Sequence, residues 1–169
     1  MNILQLGDYA KMRKTFSYLL HNEMGKNKDI FILVGDVGYG MWDNIKNSYS
    51  DRFFNVGSSE ITMMSIAVGL SLSGKIPIVY SITPFVLYRP FEILRTYINH
   101  EKLNVKIIGS GRNKDYENNG ITHWAEDDLK IMSCLENIEI FYPENIQKIK
   151  DKFNYIIYTK RPFYINLKR

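Results

Sequence analysis

Glu60 stands where a short extended run and a small-residue turn, Asp51-Arg-Phe-Phe-Asn-Val-Gly-Ser-Ser-Glu60, open onto Ile61-Thr-Met-Met-Ser-Ile-Ala-Val-Gly-Leu-Ser-Leu-Ser-Gly74, a run with no charge in it. The run is long enough for about four helical turns. A helix apolar all round is normally buried. A carboxylate at its mouth therefore needs a partner, because an unpaired buried charge is costly. Two chemistries suit it. As a first-turn acid it can favour the helix dipole and bond free amides. As a desolvated acid it can share a proton with a ligand. The residues alone leave both open.

The other groups able to do chemistry follow apolar runs. Asp36 comes after Ile30-Phe-Ile-Leu-Val34 and Gly35. Ile82, Phe85 and Tyr88 follow Ile76-Pro-Ile-Val-Tyr80. His123 lies in the polar stretch that begins after Gly109-Ser-Gly111, and Arg169 follows Pro162-Phe-Tyr-Ile-Asn-Leu167. No Gly-x-Gly-x-x-Gly, Gly-Lys-Ser/Thr phosphate loop or Gly-x-Ser-x-Gly elbow is present. The histidines at 21, 100 and 123 lack metal-ligand spacing, so no metal site is read in this chain.

The elements that must position these residues alternate. A helix should start at Gly7-Asp8, with Asp8 as N-cap, and carry Met12, Phe16, Leu19 and Leu20 at helical spacing. Strands are predicted at 30–34, 53–56, 76–80, 105–108, 138–142 and 162–167, and helices at 61–74, 85–99, 124–135 and 146–158. Residues 112–122 read as a long loop, a kind of segment that is often functional. Short two-sided apolar runs followed by glycine suit parallel strands buried on both faces. The fold class is α/β: one three-layer domain over 1–169, with a six-stranded, mostly parallel sheet and helices on both faces. In such sheets ligands bind past the carboxyl ends of the strands.

Composition narrows the classes. With 169 residues, 45% hydrophobic and 24% charged, the chain suits one folded domain rather than a disordered one. A net charge of +4 spread along the sequence gives no nucleic-acid stripe. The run 61–74, with three serines and two glycines, is too short to span a bilayer. No signal peptide is visible, and the one cysteine, Cys134, reads as a buried thiol in a reducing compartment. A cytoplasmic protein that binds neither membrane nor nucleic acid is expected.

Several phrases, in order along most of the chain, resemble the pyrimidine-binding domain of transketolase. They are 51–60, Ser65-Ile-Ala-Val-Gly-Leu70 with Ser73-Gly-Lys-Ile-Pro77, Ser81-Ile-Thr-Pro-Phe85 with Phe91-Glu-Ile-Leu-Arg95, Leu103-Asn-Val-Lys-Ile-Ile-Gly109, Gly120-Ile-Thr-His123 with Glu126-Asp127, and 162–167. The nearest likeness is to the pyrimidine-domain part of split, two-subunit transketolases. The resemblance implies thiamine diphosphate with Mg²⁺ held by a separate diphosphate-binding subunit, and an α2β2 heterotetramer containing a homodimer of this chain. Neither the diphosphate-binding domain nor the family's C-terminal domain is expected within 1–169.

By the same resemblance, Glu60 bonds the aminopyrimidine ring nitrogen, promotes the imino tautomer and so lets the cofactor lose its thiazolium proton. The cofactor then carries a two-carbon ketol unit between sugar phosphates or nucleotide-linked sugars. Phe85 packs on the pyrimidine, with Tyr88 and Ile82 nearby. Asp36 lies towards the thiazolium. His123 contacts substrate hydroxyls or phosphate and shares the catalytic role with Glu60, and Arg169 binds the sugar phosphate. Two departures bear on substrate: Ile82 stands where phenylalanine is frequent, and Gly111-Arg-Asn-Lys-Asp-Tyr-Glu-Asn-Asn-Gly120 replaces the usual glycine-rich phrase before Thr-His. Two other readings remain: a subunit of a two-subunit 2-oxo acid decarboxylase, and a non-catalytic domain that binds a partner.

Overall fold

A computed structural model describes residues 8–169, with side chains from Met12 onward. In chain order the elements are α1 (Asp8–Lys26), β1 (Ile30–Val34), α2 (Asp43–Ser48), β2 (Phe53–Asn55), α3 (Glu60–Leu72), β3 (Ile76–Ile82), α4 (Thr83–Tyr88), α5 (Phe91–Ile93), a π-helical stretch (Leu94–His100), β4 (Lys106–Ser110), α6 (Asp128–Met132), β5 (Glu139–Phe141), α7 (Ile146–Tyr158) and β6 (Phe163–Leu167).

The six strands form one sheet in the order β2-β1-β3-β4-β6-β5, and every pairing is parallel. Side chains alternate across a strand, so each of the inner strands β1, β3, β4 and β6 feeds two cores. Ile32, Val34, Ile78, Tyr80, Ile108 and Ile165 meet Phe16, Leu20, Phe153 and Ile156 of α1 and α7 on one face. Leu33, Val79, Ile107 and Tyr164 meet Met63, Met64 and Ala67 of α3, Val86 of α4 and Ile98 of the π-helix on the other. This two-sided burial is why β1 and β3 read as continuous apolar runs. Among the described residues no helix is long and apolar enough to cross a membrane.

The topology also fixes where a ligand can enter. From β1 the chain crosses to β2 on one side; from β3 it crosses to β4 on the other. The neighbouring strands β1 and β3 therefore flank a switch point, where open α/β sheets leave a crevice past the strand ends. Gly35 and Asp36 leave β1 there, and α4 starts directly after β3 there.

Four expectations need correcting. The chargeless helix is not buried all round: α3 turns Met63, Met64 and Ala67 into the core but leaves Ile61, Ile66 and Leu72 exposed. The amphipathic helix expected over 85–99 is broken, because Pro90 lacks the N–H that would continue the ladder; α4 ends before it, and a short α5 and the wider π-turns follow. The helix expected over 124–135 shrinks to Asp128–Met132, since Ala125 is engaged as a bridge partner of Asn113. Cys134, expected to be buried, is exposed in the turns after α6. The capping role of Asp8 falls on a side chain outside those described.

Candidate functional site

Glu60 is the first residue of α3, and its carboxylate meets Ser81 of β3 and Arg89 at the switch point. It is 3% exposed. Oε2 accepts a 2.8 Å bond from Nη1 of Arg89, and Oε1 receives a long 3.5 Å contact from the Ser81 hydroxyl of β3. The carboxylate is thus engaged by two side chains. Gly35, at the end of β1, makes room for it: a Cβ there would stand 3.2 Å from Ser81 Oγ and 3.4 Å from Glu60 Oε1.

Phe85 lies in α4, one helical turn before Arg89. Residues four apart share a helix face, and the Arg89 guanidinium carbon sits 3.8 Å above the Phe85 ring centroid. His123 meets the same ring edge-to-face, with centroids 4.8 Å apart. Beyond it the Tyr116 ring lies 5.9 Å from His123, and the Arg169 guanidinium covers Tyr116 at 4.5 Å. Glu60, Arg89, Phe85, His123, Tyr116 and Arg169 therefore form one unbroken line of contacts past the carboxyl ends of the central strands. Beside Glu60 and Arg89 the surface opens into a hollow of about 330 Å³ that Ser58, Ser59 and Ile61 also line.

Four of the sequence-predicted residues, Glu60, Phe85, His123 and Arg169, are brought together by this line. The other three serve its frame. Asp36 has φ +54° and ties the ends of β1 and β2: its N–H donates to Asn55 Oδ1 at 3.0 Å, and its Oδ1 accepts from Asn55 Nδ2 at 3.1 Å. The bonds from Asn55 and from the Tyr39 hydroxyl hold the Asp36 carboxyl below its ordinary range. Tyr88 donates to Asp127 and so pins α4 to the polar loop; burial and that bond push its hydroxyl pKa well up. Ile82 is 8% exposed, at the end of β3 and directly before α4.

The loop that carries Tyr116 and His123 is anchored by buried polar groups. Arg112 Nη2 donates to the carbonyls of Pro143 at 2.8 Å and Asn166 at 2.5 Å, and its guanidinium covers the Tyr142 ring at 3.8 Å. Asn166 Nδ2 donates to Asp128 Oδ2 at 2.7 Å, and the Tyr164 hydroxyl donates to the same oxygen at 2.6 Å. Burial, then Asp128, raises the Tyr164 pKa well above its ordinary value, and burial lowers that of Arg112. Gly111, at φ +88°, is required because a Cβ would come within 2.5 Å of the Tyr116 ring.

Sequence reasoning missed Arg89 and Tyr116. Arg89 carried a usable signal, its four-residue spacing from Phe85. Tyr116 carried none locally, since only the fold brings Arg169 to it.

The arrangement fits the aminopyrimidine half of thiamine diphosphate. The guanidinium itself shows that a flat N–H donor can lie on the Phe85 face and reach the Glu60 carboxylate. Among the described residues no group of three or more His, Cys, Asp or Glu is placed to hold a metal ion.

Residues 8–169 match the family described as transketolase, pyrimidine binding domain. A protein of Methanocaldococcus jannaschii named for a transketolase C-terminal section is 29% identical over 96% of this chain and 52% of its own length. A subunit of the apulose-4-phosphate transketolase of Actinobacillus succinogenes is 31% identical over 70% of this chain and 38% of its own. A solved split-gene transketolase, an inactive β4 tetramer, superposes with TM-score 0.82 at 30% identity, over 94% of this chain and 50% of that one. The chain thus spans about half, or less, of these relatives.

Proposed function

The chain belongs to the transketolase pyrimidine-binding domain family, and from that premise we propose that it is the pyrimidine-binding subunit of a two-subunit, thiamine-diphosphate-dependent transketolase. The observation that carries this is the near-complete burial of Glu60 at the switch point, with the Phe85 ring one guanidinium's thickness away. When bound, thiamine diphosphate supplies the electron sink on which a two-carbon ketol unit is carried.

The chain's own residues do the rest. Glu60 exchanges a proton with a ring nitrogen of the aminopyrimidine from a site shielded from water. Phe85 gives that ring a face to stack on. Tyr88 and Ile82 hold α4 in position, and Asp36 fixes the loop leaving β1. His123 and Arg169 face the sugar, with Arg169 suited to an anionic end as a planar, permanently charged donor. An anionic sugar also suits the relatives. One is named for apulose 4-phosphate, and another, from a Clostridium strain, for 6-deoxy-6-sulfofructose.

The diphosphate and its Mg²⁺ fall to a second subunit in an α2β2 assembly. The exposed apolar side chains of α3 supply a surface for it, because Ile61 lines the hollow beside Glu60 and Ile66 and Leu72 continue along the helix. The exposed single thiol, Cys134, suits a reducing cytoplasmic setting.

The test combines this chain with its diphosphate-binding subunit, thiamine diphosphate and Mg²⁺ and follows ketol transfer. Glu60→Gln should lose at least about 100-fold in turnover, as removal of a positioned acid-base group does. Full turnover in Glu60→Gln would reject the assignment.

A further inference from the structure

Arg89 already occupies the place that the aminopyrimidine is to take. Its guanidinium is flat, donates N–H bonds from its edge and presents a π face. In this structure it uses both properties at once, lying 3.8 Å above the Phe85 centroid while Nη1 donates 2.8 Å to Glu60 Oε2. An aminopyrimidine has the same two handles: a flat ring to stack, and an N–C–N edge to meet a carboxylate. One aromatic face and one carboxylate oxygen cannot serve both at the same time.

We propose that Arg89 is a built-in plug of the cofactor half-site, a planar cation that stands in for the aminopyrimidine until thiamine diphosphate displaces it. This rests on the reading of Glu60 and Phe85 given above. The guanidinium reaches the site from the solvent side: the Arg89 side chain is 45% exposed, while that of Glu60 is 2% exposed. It can swing out without disturbing the core. Arg89 is also the last residue before Pro90, where the helical ladder is interrupted, and its side chain lines the open hollow into which it would retreat.

The plug has a physical purpose. An assembly in which the cofactor lies between two subunits leaves each half-site exposed until they meet. Without its ligand, Glu60 would be a nearly buried carboxylate with one long hydroxyl contact, which is unfavourable. Arg89 compensates that charge in the free subunit. The same contact competes with the cofactor, so the apparent affinity falls by the fraction of molecules in which the plug is open. An ion pair exposed on one side and an exposed cation–π contact are each weak, so together they should reduce cofactor affinity about fivefold to tenfold.

The test is titration of thiamine diphosphate, with Mg²⁺, into the assembled pair of subunits. Calorimetry reads the dissociation constant and stopped-flow fluorescence the association rate. Arg89→Ala should bind the cofactor about fivefold to tenfold more tightly and faster than the wild type. Arg89→Lys, which keeps the charge but not the flat face, should fall between them. Unchanged or weaker binding in Arg89→Ala overturns the plug. If Arg89→Ala does not assemble, Arg89→Lys decides: binding no tighter than wild type overturns it. Glu60→Gln and Phe85→Ala separate the two levels of the argument. If both leave the dissociation constant unchanged, the site reading itself fails. If they weaken binding while the Arg89 variants do not tighten it, the site stands and the plug alone falls.

Discussion

Gly35 leaves β1 and Glu60 opens α3, yet a single methyl group on the glycine would bring the two into contact. A Cβ on Gly35 would stand 3.4 Å from Glu60 Oε1 and 3.2 Å from the Ser81 hydroxyl. The glycine is there for closeness rather than for an unusual backbone angle. Gly35→Ala should fold with a loss of about 1 kcal/mol, the lower end of overpacking costs. The methyl group will press the Ser81 hydroxyl by a few tenths of an ångström and so loosen its contact with the Glu60 carboxylate. Cofactor affinity of the assembled pair should fall about tenfold, as a displaced positioning group allows. Denaturant unfolding and calorimetric titration check the two parts separately. Wild-type affinity in Gly35→Ala would show that the carboxylate is not confined by β1.

The loop bearing Tyr116 and His123 should depend on one amide. Asn166 Oδ1 accepts from Arg112 Nε at 3.3 Å while its Nδ2 donates to Asp128 Oδ2 at 2.7 Å. Asn166→Ala leaves a buried cation and a buried anion each short of a partner. The expected cost is about 3 kcal/mol, in the range found when one member of a buried charged network is removed. Equilibrium unfolding in urea measures it. Asn166→Ala should also free the loop, so the His123 resonance should broaden or split in NMR spectra. A stable variant with an unchanged His123 signal would show that the loop is held by other contacts.

Much of this architecture could be read from the residues. β1 and β3 were legible because strands buried on both faces leave continuous apolar runs, and α7 because Ile149, Phe153, Ile156 and Ile157 recur at helical spacing. The outer face of α3 was not legible. Ile61 and Leu72 read as core because a chargeless helix looks the same whether its second face meets its own sheet or another chain. The line Glu60, Phe85, His123, Arg169 could be named only through family resemblance, since its members meet at the ends of separate strands. Tyr116 escaped because it contacts the site from a loop, where local pattern carries no tertiary information, whereas the spacing of Arg89 from Phe85 was there to be read.

The pH dependence of stability should bear the mark of Lys106. This lysine is fully buried at the start of β4, and Nζ donates to the carbonyls of Thr159 at 2.9 Å and Arg161 at 2.7 Å. Burial lowers its pKa to about 7, against an ordinary value of 10.5. Between those two values the unfolded chain binds the extra proton and the folded chain does not. Raising the pH from 7 towards 10.5 therefore removes a penalty on folding, and stability should climb by up to about 1.4 kcal/mol per pH unit from this group. Below pH 7 both states are protonated, and the contribution is flat. Lys106→Met should remove the climb, while leaving the Thr159 and Arg161 carbonyls without this donor. Urea unfolding of both proteins at pH 6, 7, 8 and 9 gives the difference in slope, and parallel curves would count against a depressed lysine.

The outer face of α3 should decide assembly without deciding folding. Ile61 is 57% exposed and Leu72 70% along one edge of that face, and Ile66 is exposed at its other edge, about 140° round the helix from Ile61. Ile61 also lines the hollow beside Glu60, so a subunit that completes the cofactor site from that side must cover it. Covering such side chains contributes about 25 cal/mol per Å² of apolar surface, and a charge placed there must be desolvated instead. Ile61→Glu and Ile66→Glu should each retain wild-type circular dichroism and thermal midpoint, because the altered side chain faces solvent in the free chain. Both should fail to co-elute with the diphosphate-binding subunit in size-exclusion chromatography, or do so with affinity reduced at least about 100-fold, as for a truncated interface anchor. Leu72→Glu, farther from the hollow, should weaken assembly less. If Ile61→Glu assembles normally and still binds cofactor, the second subunit does not approach across α3.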